Sequence, residues 1–328
     1  MKQYEIAFKT LAILSDGLFH SGEMIANELG FSRVSIWKAI NDLKKLNVEI
    51  FSVRKKGYRL PKAIKILSEK KIVETLGELS QFVNFELLNV IDSTNKYLLN
   101  QSKNKPHATV VCSNLQTNGK GRRGRVWQSA LGESITMSIL WKFNFGASQL
   151  SGLSLVIGIA LQRVMQKIGI YNSSLKWPND VLVDANDDLK KIAGVLIELQ
   201  GDMESRCSAV IGVGLNFDLS TKQQKKIDQL ATSITSVSSK SHDPNEIVSL
   251  IIKEIVNVLS DFEKTHFESF KTEWLDSRAF KDQKVQFQKG SGEKITGNII
   301  DLDDDGSLLL LKDDGKIEKL LSGEVSSI

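Results

Sequence analysis

The sequence predicts an α+β chain of three modules. These are a winged helix-turn-helix at residues 1–62, a mixed sheet with packed helices at 63–276, and a small β-barrel at 277–328. Three observations lead there. Apolar residues recur at helical spacing in the first sixty positions, strands and helices alternate through the middle, and only short strands follow residue 282.

In the first module, Ile6, Leu11, Ile13 and Leu14 predict a helix that Gly17 ends. Ser21 is an apt N-cap for a second helix carrying Met24, Ile25 and Leu29, and Gly30 closes it. Ser32 caps a third, with Ile36, Ile40 and Leu43 on one face. The join Leu29-Gly30-Phe31-Ser32 is a helix-turn-helix pattern with glycine in the turn. Val48–Val53 and Gly57–Leu60 predict strands around Arg54-Lys55-Lys56, a basic wing.

Charge agrees with this reading. Residues 1–62 hold 11 Lys and Arg against 6 Asp and Glu, a surplus of five, whereas the whole chain has 43 against 39. The remainder is therefore slightly negative, and the cationic excess that favours nucleic acid belongs to this module alone. The third helix would offer Ser32, Arg33, Ser35 and Lys38 to a major groove. Arg54, Lys55 and Lys56 would meet phosphates or the minor groove. Trp37 is ambiguous between packing and base contact, packing being the commoner role of an aromatic one turn inside such a helix. The competing reading is a three-helix domain for protein contacts.

In the second module a connector from Lys62 to Lys71 leads into a helix. Strands are expected at Val83–Ile91, Thr109–Gln116, Ser134–Phe143 (with a partly alternating face), Leu175–Trp177, Val181–Asp184, Ile192–Gln200 and Ala209–Asn216. Ser93 and Thr94 begin a short helix at Asn95–Asn100. Ser148–Ile168 reads as one long apolar helix, with Gly152 and Gly158 inside it for close packing. Asp243-Pro244-Asn245-Glu246 opens another, N-cap first and proline in the first turn. Leu219 to Asp243, rich in Ser, Thr, Lys and Gln, reads as a mobile loop beside the site or a plain linker.

The third module should have four strands, Lys284–Gln288, Ile295–Asp301, Ser307–Leu311 and Ile317–Leu321. Turns at Gly290-Ser291-Gly292, Asp303–Gly306 and Asp313-Asp314-Gly315 separate them.

The stretch Gly119-Lys120-Gly121-Arg122-Arg123-Gly124-Arg125-Val126-Trp127 interleaves three glycines with four cations. Glycine lets backbone approach a ligand closely, and guanidinium forks suit phosphate and carboxylate. Such a loop can stay open and close over a polyanion. Downstream lie Lys176-Trp177-Pro178-Asn179-Asp180 and Lys190-Lys191-Ile192-Ala193-Gly194, and upstream Asp92-Ser93-Thr94-Asn95. Lys176 ends a strand, and Asn179 and Asp180 suit a turn.

These segments, in this order, resemble the biotin protein ligases, and most nearly the bifunctional type that also represses transcription. The resemblance covers nearly the whole chain, and it makes the third module an SH3-like cap. Lys120 departs from the family pattern, standing where arginine is usual. The resemblance implies an enzyme that uses ATP and Mg²⁺ to form biotinyl-5′-AMP, then biotinylates a lysine of the biotin carboxyl carrier protein. It implies operator DNA as a second partner, with a homodimer when adenylate is bound.

Residue by residue, it assigns catalysis to Lys176 and Arg122. Biotin falls to Ser93, Thr94, Asn95, Gln116, Gly119, Lys120, Arg122, Lys176 and Gly194. ATP and the adenylate fall to Lys120, Gly121, Arg122, Arg123, Gly124, Arg125, Trp127, Lys176, Asn179, Asp180, Lys191 and Asn216. Mg²⁺ would come on the ATP, without dedicated protein ligands. Trp127 also suits an apolar wall, and Gly194 and Gly214 would let backbone approach ligand. The family's aromatic stack on adenine has no candidate between Asp218 and Asp243. Two alternatives stay open: a repressor that senses biotinyl-AMP without catalysis, and a lipoate or octanoate ligase.

Only two cysteines occur, Cys112 and Cys207, without metal-ligand spacing, and four scattered histidines add none. The start, Met1-Lys2-Gln3-Tyr4-Glu5, has no signal-peptide pattern, and Leu153–Leu161 is too short to span a bilayer. The expectation is a soluble cytoplasmic protein.

Overall fold

The computed structural model describes residues 4–290 and 292–328. Met1–Gln3 and Ser291, at which two of the expectations above fall, lie outside the described residues.

The first module forms as its caps dictate. Helix α1 (Glu5–Leu14) precedes α2 (Gly22–Leu29), where the Ser21 hydroxyl accepts from the Met24 amide and Gly30 closes the helix at φ 70°. Helix α3 (Arg33–Lys45) starts on Ser32, whose hydroxyl accepts from the Ser35 amide. Leu11, Leu14, Ile25, Ile36, Ile40 and Leu43 form a separate buried core. Strands β1 (Phe51–Val53) and β2 (Gly57–Arg59) pair antiparallel as the wing, shorter than expected at its leading edge. Trp37, ambiguous in the sequence, is 57% exposed on the outer face of α3.

Helix α4 (Glu69–Leu76) follows the connector. The central sheet is built from β3 (Asn84–Ile91), β4 (Thr109–Gln116), β7 (Ser134–Phe143), β8 (Ser173–Lys176), β9 (Asp180–Ala185), β10 (Asp188–Gly201) and β11 (Cys207–Asn216). A small hairpin, β5 (Gly119–Lys120) and β6 (Val126–Trp127), stands apart from it. The seven strands run in the order β3-β4-β7-β11-β10-β9-β8. Only β3 and β4 pair in parallel, so the sheet is mixed.

Helix α5 (Thr94–Gln101) covers one face. Helices α6 (Leu153–Lys167) and α9 (Pro244–Thr265) pack on each other and cover the other face. Strand β7 shows why this sheet is two-sided. Ile135, Met137, Ile139, Trp141 and Phe143 enter the main core. Alternate positions Thr136 and Ser138 are buried too, against polar partners rather than water, and Ser134 is buried with its hydroxyl unpartnered. Alternation was legible, but its polar half does not face solvent.

Three other expectations are corrected. Residues 148–168 are not one helix. A 3₁₀ turn at Ala147–Leu150 precedes α6, and Gly152 between them is left-handed at φ 76°. A Cβ there would sit 2.5 Å from the Phe267 ring, so Gly152 turns the chain instead of packing inside a helix. At Gly158 a Cβ would make only an ordinary 3.6 Å contact with Leu175. Residues 219–243 are no bare linker: they hold α7 (Thr221–Gln224), α8 (Ile234–Val237) and a parallel bridge from Ala231 to Lys191.

After α9 comes α10 (Lys271–Asp276), and Ser277–Ala279 then runs beside β8, exchanging backbone hydrogen bonds with Leu175. The third module has five strands, not four. They are β12 (Lys284–Lys289), β13 (Lys294–Leu302), β14 (Leu308–Lys312), β15 (Ile317–Leu320) and β16 (Gly323–Ser327), ordered β15-β14-β13-β12-β16. Strand β16 is not legible in the sequence, because Ser322-Gly323-Glu324 carries turn-like residues and only Val325 is apolar before Ile328.

The connector holds the first module to the second. The Ile64 amide donates to Ser15 O at 3.0 Å. Lys62 pairs with Asp218 at 2.7 Å, and Lys65 donates to the Ser241 hydroxyl and the His242 carbonyl. Among the described residues no helix is long and apolar enough to cross a membrane. Cys112 and Cys207 are both buried free thiols.

Candidate active site

A cavity of about 320 Å³ lies over β10 and β11, between the β5–β6 hairpin, the N-terminus of α5 and the 226–231 segment. It collects Ser93, Thr94, Asn95, Gln116, Lys120, Gly121, Arg122, Arg125, Trp127, Lys176, Asn179, Asp180, Lys191, Gly194 and Asn216 in its lining. Three expected residues are not in that lining. Gly119 is spent on packing: a Cβ there would meet Trp127 O at 2.7 Å and the Gln116 amide at 3.1 Å. Arg123 and Gly124 form the outward tip of the hairpin, both at positive φ (54° and 75°).

One end of the cavity is a closed polar network. The Ser93 hydroxyl caps α5 by accepting from the Lys96 amide. Gln116 Oε1 accepts from the Thr94 amide at 2.7 Å and the Thr94 hydroxyl at 3.0 Å. Ser138 Oγ lies 2.6 Å from the Thr94 hydroxyl and donates to Asn95 Oδ1 at 2.5 Å. Asn95 Nδ2 in turn donates to Leu196 O and Glu198 Oε2. Gly212 makes room for that amide, since a Cβ there would fall 2.2 Å from Asn95 Oδ1. The Thr94 side chain and Gln116 are thus held in one orientation, ready for a small heterocycle with donors and an acceptor.

The apolar wall is Trp127, Met137, Val195 and Val213. Gly214, expected to let backbone approach a ligand, lies in the cavity lining and also makes room for an aromatic ring. Its missing Cβ is replaced by the Trp127 indole, which a side-chain carbon would approach to 2.4 Å.

The other end is cationic. The lining holds Lys120, Arg122, Arg125, Lys176, Lys191 and Lys226 against Asp180, Asp228 and Glu324, six positive groups to three negative. Two of the carboxylates are engaged: Asp180 pairs with Lys191 at 2.7 Å, and Glu324 with Arg125 at 2.7 Å. Gly194 permits the first pair, because a Cβ there would come within 3.0 Å of the Lys191 side chain. Asn216 Nδ2 donates to Lys191 O, a buried asparagine satisfied by backbone.

Arg122 Nη1 donates to Asn179 Oδ1 at 3.1 Å, while Asn179 Nδ2 donates to Val195 O. Burial holds the Arg122 guanidinium below its usual pKa, with Arg123 adding to the effect. The Lys176 side chain has no hydrogen-bond or ion-pair partner among the described residues. Its pKa is lowered, first by burial, against which Asp180 pulls upward while Lys191 adds to the lowering. A desolvated, unpaired lysine beside an apolar-walled cavity is a group waiting for an anion. The peptide bond that follows, Trp177-Pro178, is cis, and Trp177 Nε1 donates to Gly306 O in the barrel.

Several individual lining residues are not marked in the sequence. Lys226, Ile227, Asp228, Gln229 and Ala231 close the cavity from the segment read as a loop beside the site or a linker, and Glu324 reaches in from the unforeseen β16. Nothing in local composition marks them; only the bridge to Lys191 and the barrel's position bring them there. The cover supplies Ile227 and Ala231, with no aromatic ring.

Family models match three segments. Residues 7–59 match an HTH domain, 87–216 the Biotin/lipoate A/B protein ligase family, and 282–327 the Biotin protein ligase C terminal domain. The chain is 34% identical to the bifunctional ligase/repressor BirA of Escherichia coli (strain K12), over 99% of this chain and 98% of that one. It is 29% identical to the bifunctional ligase/repressor BirA of Bacillus subtilis (strain 168), over 94% and 93% respectively. A biotin protein ligase from Aquifex aeolicus, solved in complex with biotin and ATP, superposes with a TM-score of 0.62. It is 29% identical and covers 74% of this chain and 97% of that one.

Proposed function

This chain belongs to the biotin protein ligases, in their bifunctional ligase/repressor branch, and from that premise we propose a two-step ligation coupled to operator binding. The observation that carries the ligase reading is the six-to-three excess of cations at one end of a cavity whose other end is a fixed polar network beside an apolar wall. One end suits a polyphosphate, the other a ureido ring, and the wall an alkyl chain.

In the first step a biotin carboxylate oxygen attacks the α-phosphorus of ATP. The P–O bond to the β-phosphate breaks, pyrophosphate leaves, and biotinyl-5′-AMP remains. Arg122 and Lys176 hold the two anions against each other and stabilise the charge that grows on the α-phosphoryl oxygens. Lys120, Arg125 and Lys191 add to that field. Ser93, Thr94, Asn95 and Gln116 orient the ureido ring, and Trp127 packs on the ligand. Ile227 and Ala231 cover the adenine in place of an aromatic stack. In the second step a lysine ε-amine of the biotin carboxyl carrier protein attacks the acyl carbon. AMP leaves, and the amine loses a proton to form the amide.

Mg²⁺ would arrive on the phosphates, where Asp228 is the carboxylate of the lining outside an ion pair. Bound there, the ion would supply further neutralisation of the phosphates.

The first module is a DNA-binding head. With adenylate bound, two copies associate and hold an operator through α3 and the wing. The reaction and its unpaired cysteines suit the cytoplasm.

Purified protein incubated with MgATP and biotin, lipoate or octanoate tests the ligase reading by mass spectrometry. Biotinyl-AMP from the biotin sample alone supports it. Adenylate from another acid, or none from folded protein, defeats it.

A further inference from the structure

The outward face of α3 carries two large apolar side chains that no part of the molecule covers. Val34 is 63% and Trp37 57% exposed, one helical turn apart. They lie opposite Ile36, Ala39, Ile40 and Leu43, the residues that bury the helix. Of the two readings open for Trp37, packing fails, and its exposure needs another account. On the same surface Arg33 and Lys38 flank them, exposed and without a carboxylate partner among the described residues. Arg54, Lys55 and Lys56 at the wing tip are likewise exposed and free of ion pairs. Elsewhere in the head, cations do find acids, as in Lys9 with Glu5 and Lys45 with Asp42.

We propose that Val34 and Trp37 read thymine methyl groups in the major groove, giving this head an apolar sequence filter between its cationic anchors. The inference rests on the operator-binding reading and deepens it. Charge complementarity selects the occupant: an apolar pair ringed by free cations suits duplex DNA, where phosphates border a groove floor. In that groove the thymine C5-methyl is the one apolar feature that base pairs present. Arg33 and Lys38 reach polar base edges or the nearest phosphates, and the wing cations hold the backbone, which carries affinity without sequence. Specificity then depends on two side chains that carry no charge.

The test uses the full chain with MgATP and biotin. Wild-type protein first selects duplexes from a random library, and the winning site is then remade with uracil replacing each thymine in turn. Uracil removes one methyl group and leaves every hydrogen-bonding atom in place. At one or two positions it should weaken wild-type binding about four-fold per methyl. Trp37→Ala or Val34→Ala should bind the thymine site more weakly and lose that position's discrimination. The salt dependence should be unchanged in these variants, whereas Arg54→Ala should lower its slope by about one. Circular dichroism and thermal midpoints show that each variant is folded.

Uniform indifference of wild type to uracil overturns the proposal. So does Trp37→Ala that keeps full methyl discrimination alongside Val34→Ala that does the same. A Trp37→Ala effect confined to self-association, with thymine and uracil sites bound alike, also overturns it by giving the face to a second copy. Failure of the library to enrich any sequence is a different result: it removes the operator reading beneath.

Discussion

Arg122 and Asn179 are hydrogen-bonded at 3.1 Å, which joins the glycine-arginine hairpin to the Lys-Trp-Pro-Asn-Asp turn. The contact fixes a long, charged side chain that would otherwise be one of the most mobile in the cavity. Asn179→Ala should therefore act through Arg122. Adenylation should slow about ten-fold to a hundred-fold, mainly by loss of orientation. Asn179→Asp, which keeps an acceptor, should recover part of it. Biotin-dependent exchange of pyrophosphate into ATP measures both.

Lys176→Ala should leave the fold intact and reduce adenylate formation about 10²- to 10³-fold, the usual cost of removing a preorganised charge at a developing oxyanion. Exchange kinetics alongside circular dichroism check it. Near-normal turnover would take Lys176 out of the chemistry.

The pH dependence has a definite sign. Burial lowers the Lys176 pKa, so its ammonium is lost at a lower pH than an exposed lysine would show. The neutral amine cannot hold a carboxylate or phosphate. The kcat/KM for biotin should accordingly fall on the alkaline side at a pH below the ordinary lysine value, since that ratio reports the free enzyme. Lys176→Arg should push this alkaline limb upward in pH, whatever it does to the plateau. A pH profile whose limb stays in place would assign it to another group.

Gly214→Ala should displace the Trp127 indole, which a Cβ would approach to 2.4 Å. The KM values for both biotin and ATP should rise, and stability should drop by about 1–3 kcal/mol, as for other overpacked sites. Steady-state kinetics and urea unfolding separate the two effects.

Arg33→Ala should weaken DNA binding while leaving adenylate formation unchanged, because Arg33 sits on α3 with no contact to the cavity. Mobility shift and pyrophosphate exchange on the same preparation check the pair.

Much of this architecture was legible because it is written in short-range chemistry. Ser21, Ser32 and Asp243 mark helix starts through their own hydroxyl or carboxylate, and the structure uses each as an N-cap. Strands β4 and β7 begin and end where their apolar and β-branched runs do. The glycine-arginine stretch, the Ser-Thr-Asn turn and the Lys-Trp-Pro-Asn-Asp run could each be singled out, and they meet in one cavity.

What was not legible depends on distant partners. Trp37 is ambiguous in the sequence between packing and base contact, and only the packing of Ile36 and Ile40 leaves it on the surface. Nothing beside Gly214 in sequence says that the Trp127 indole lies over it. The 226–231 segment has loop composition, and its bridge to Lys191 decides between a loop beside the site and a plain linker. Glu324 belongs to a strand too poor in apolar residues to be noticed.

The cavity lining runs from Ser93 to Glu324, and Arg125 is pinned only when β16 is in place. On a ribosome the DNA-binding head and the seven-stranded sheet are complete more than a hundred residues before that strand emerges. A nascent chain can thus display its head while its catalytic cavity still lacks a wall. A chain stalled in the barrel before residue 324 carries a complete head, and its Arg125 has yet to meet Glu324.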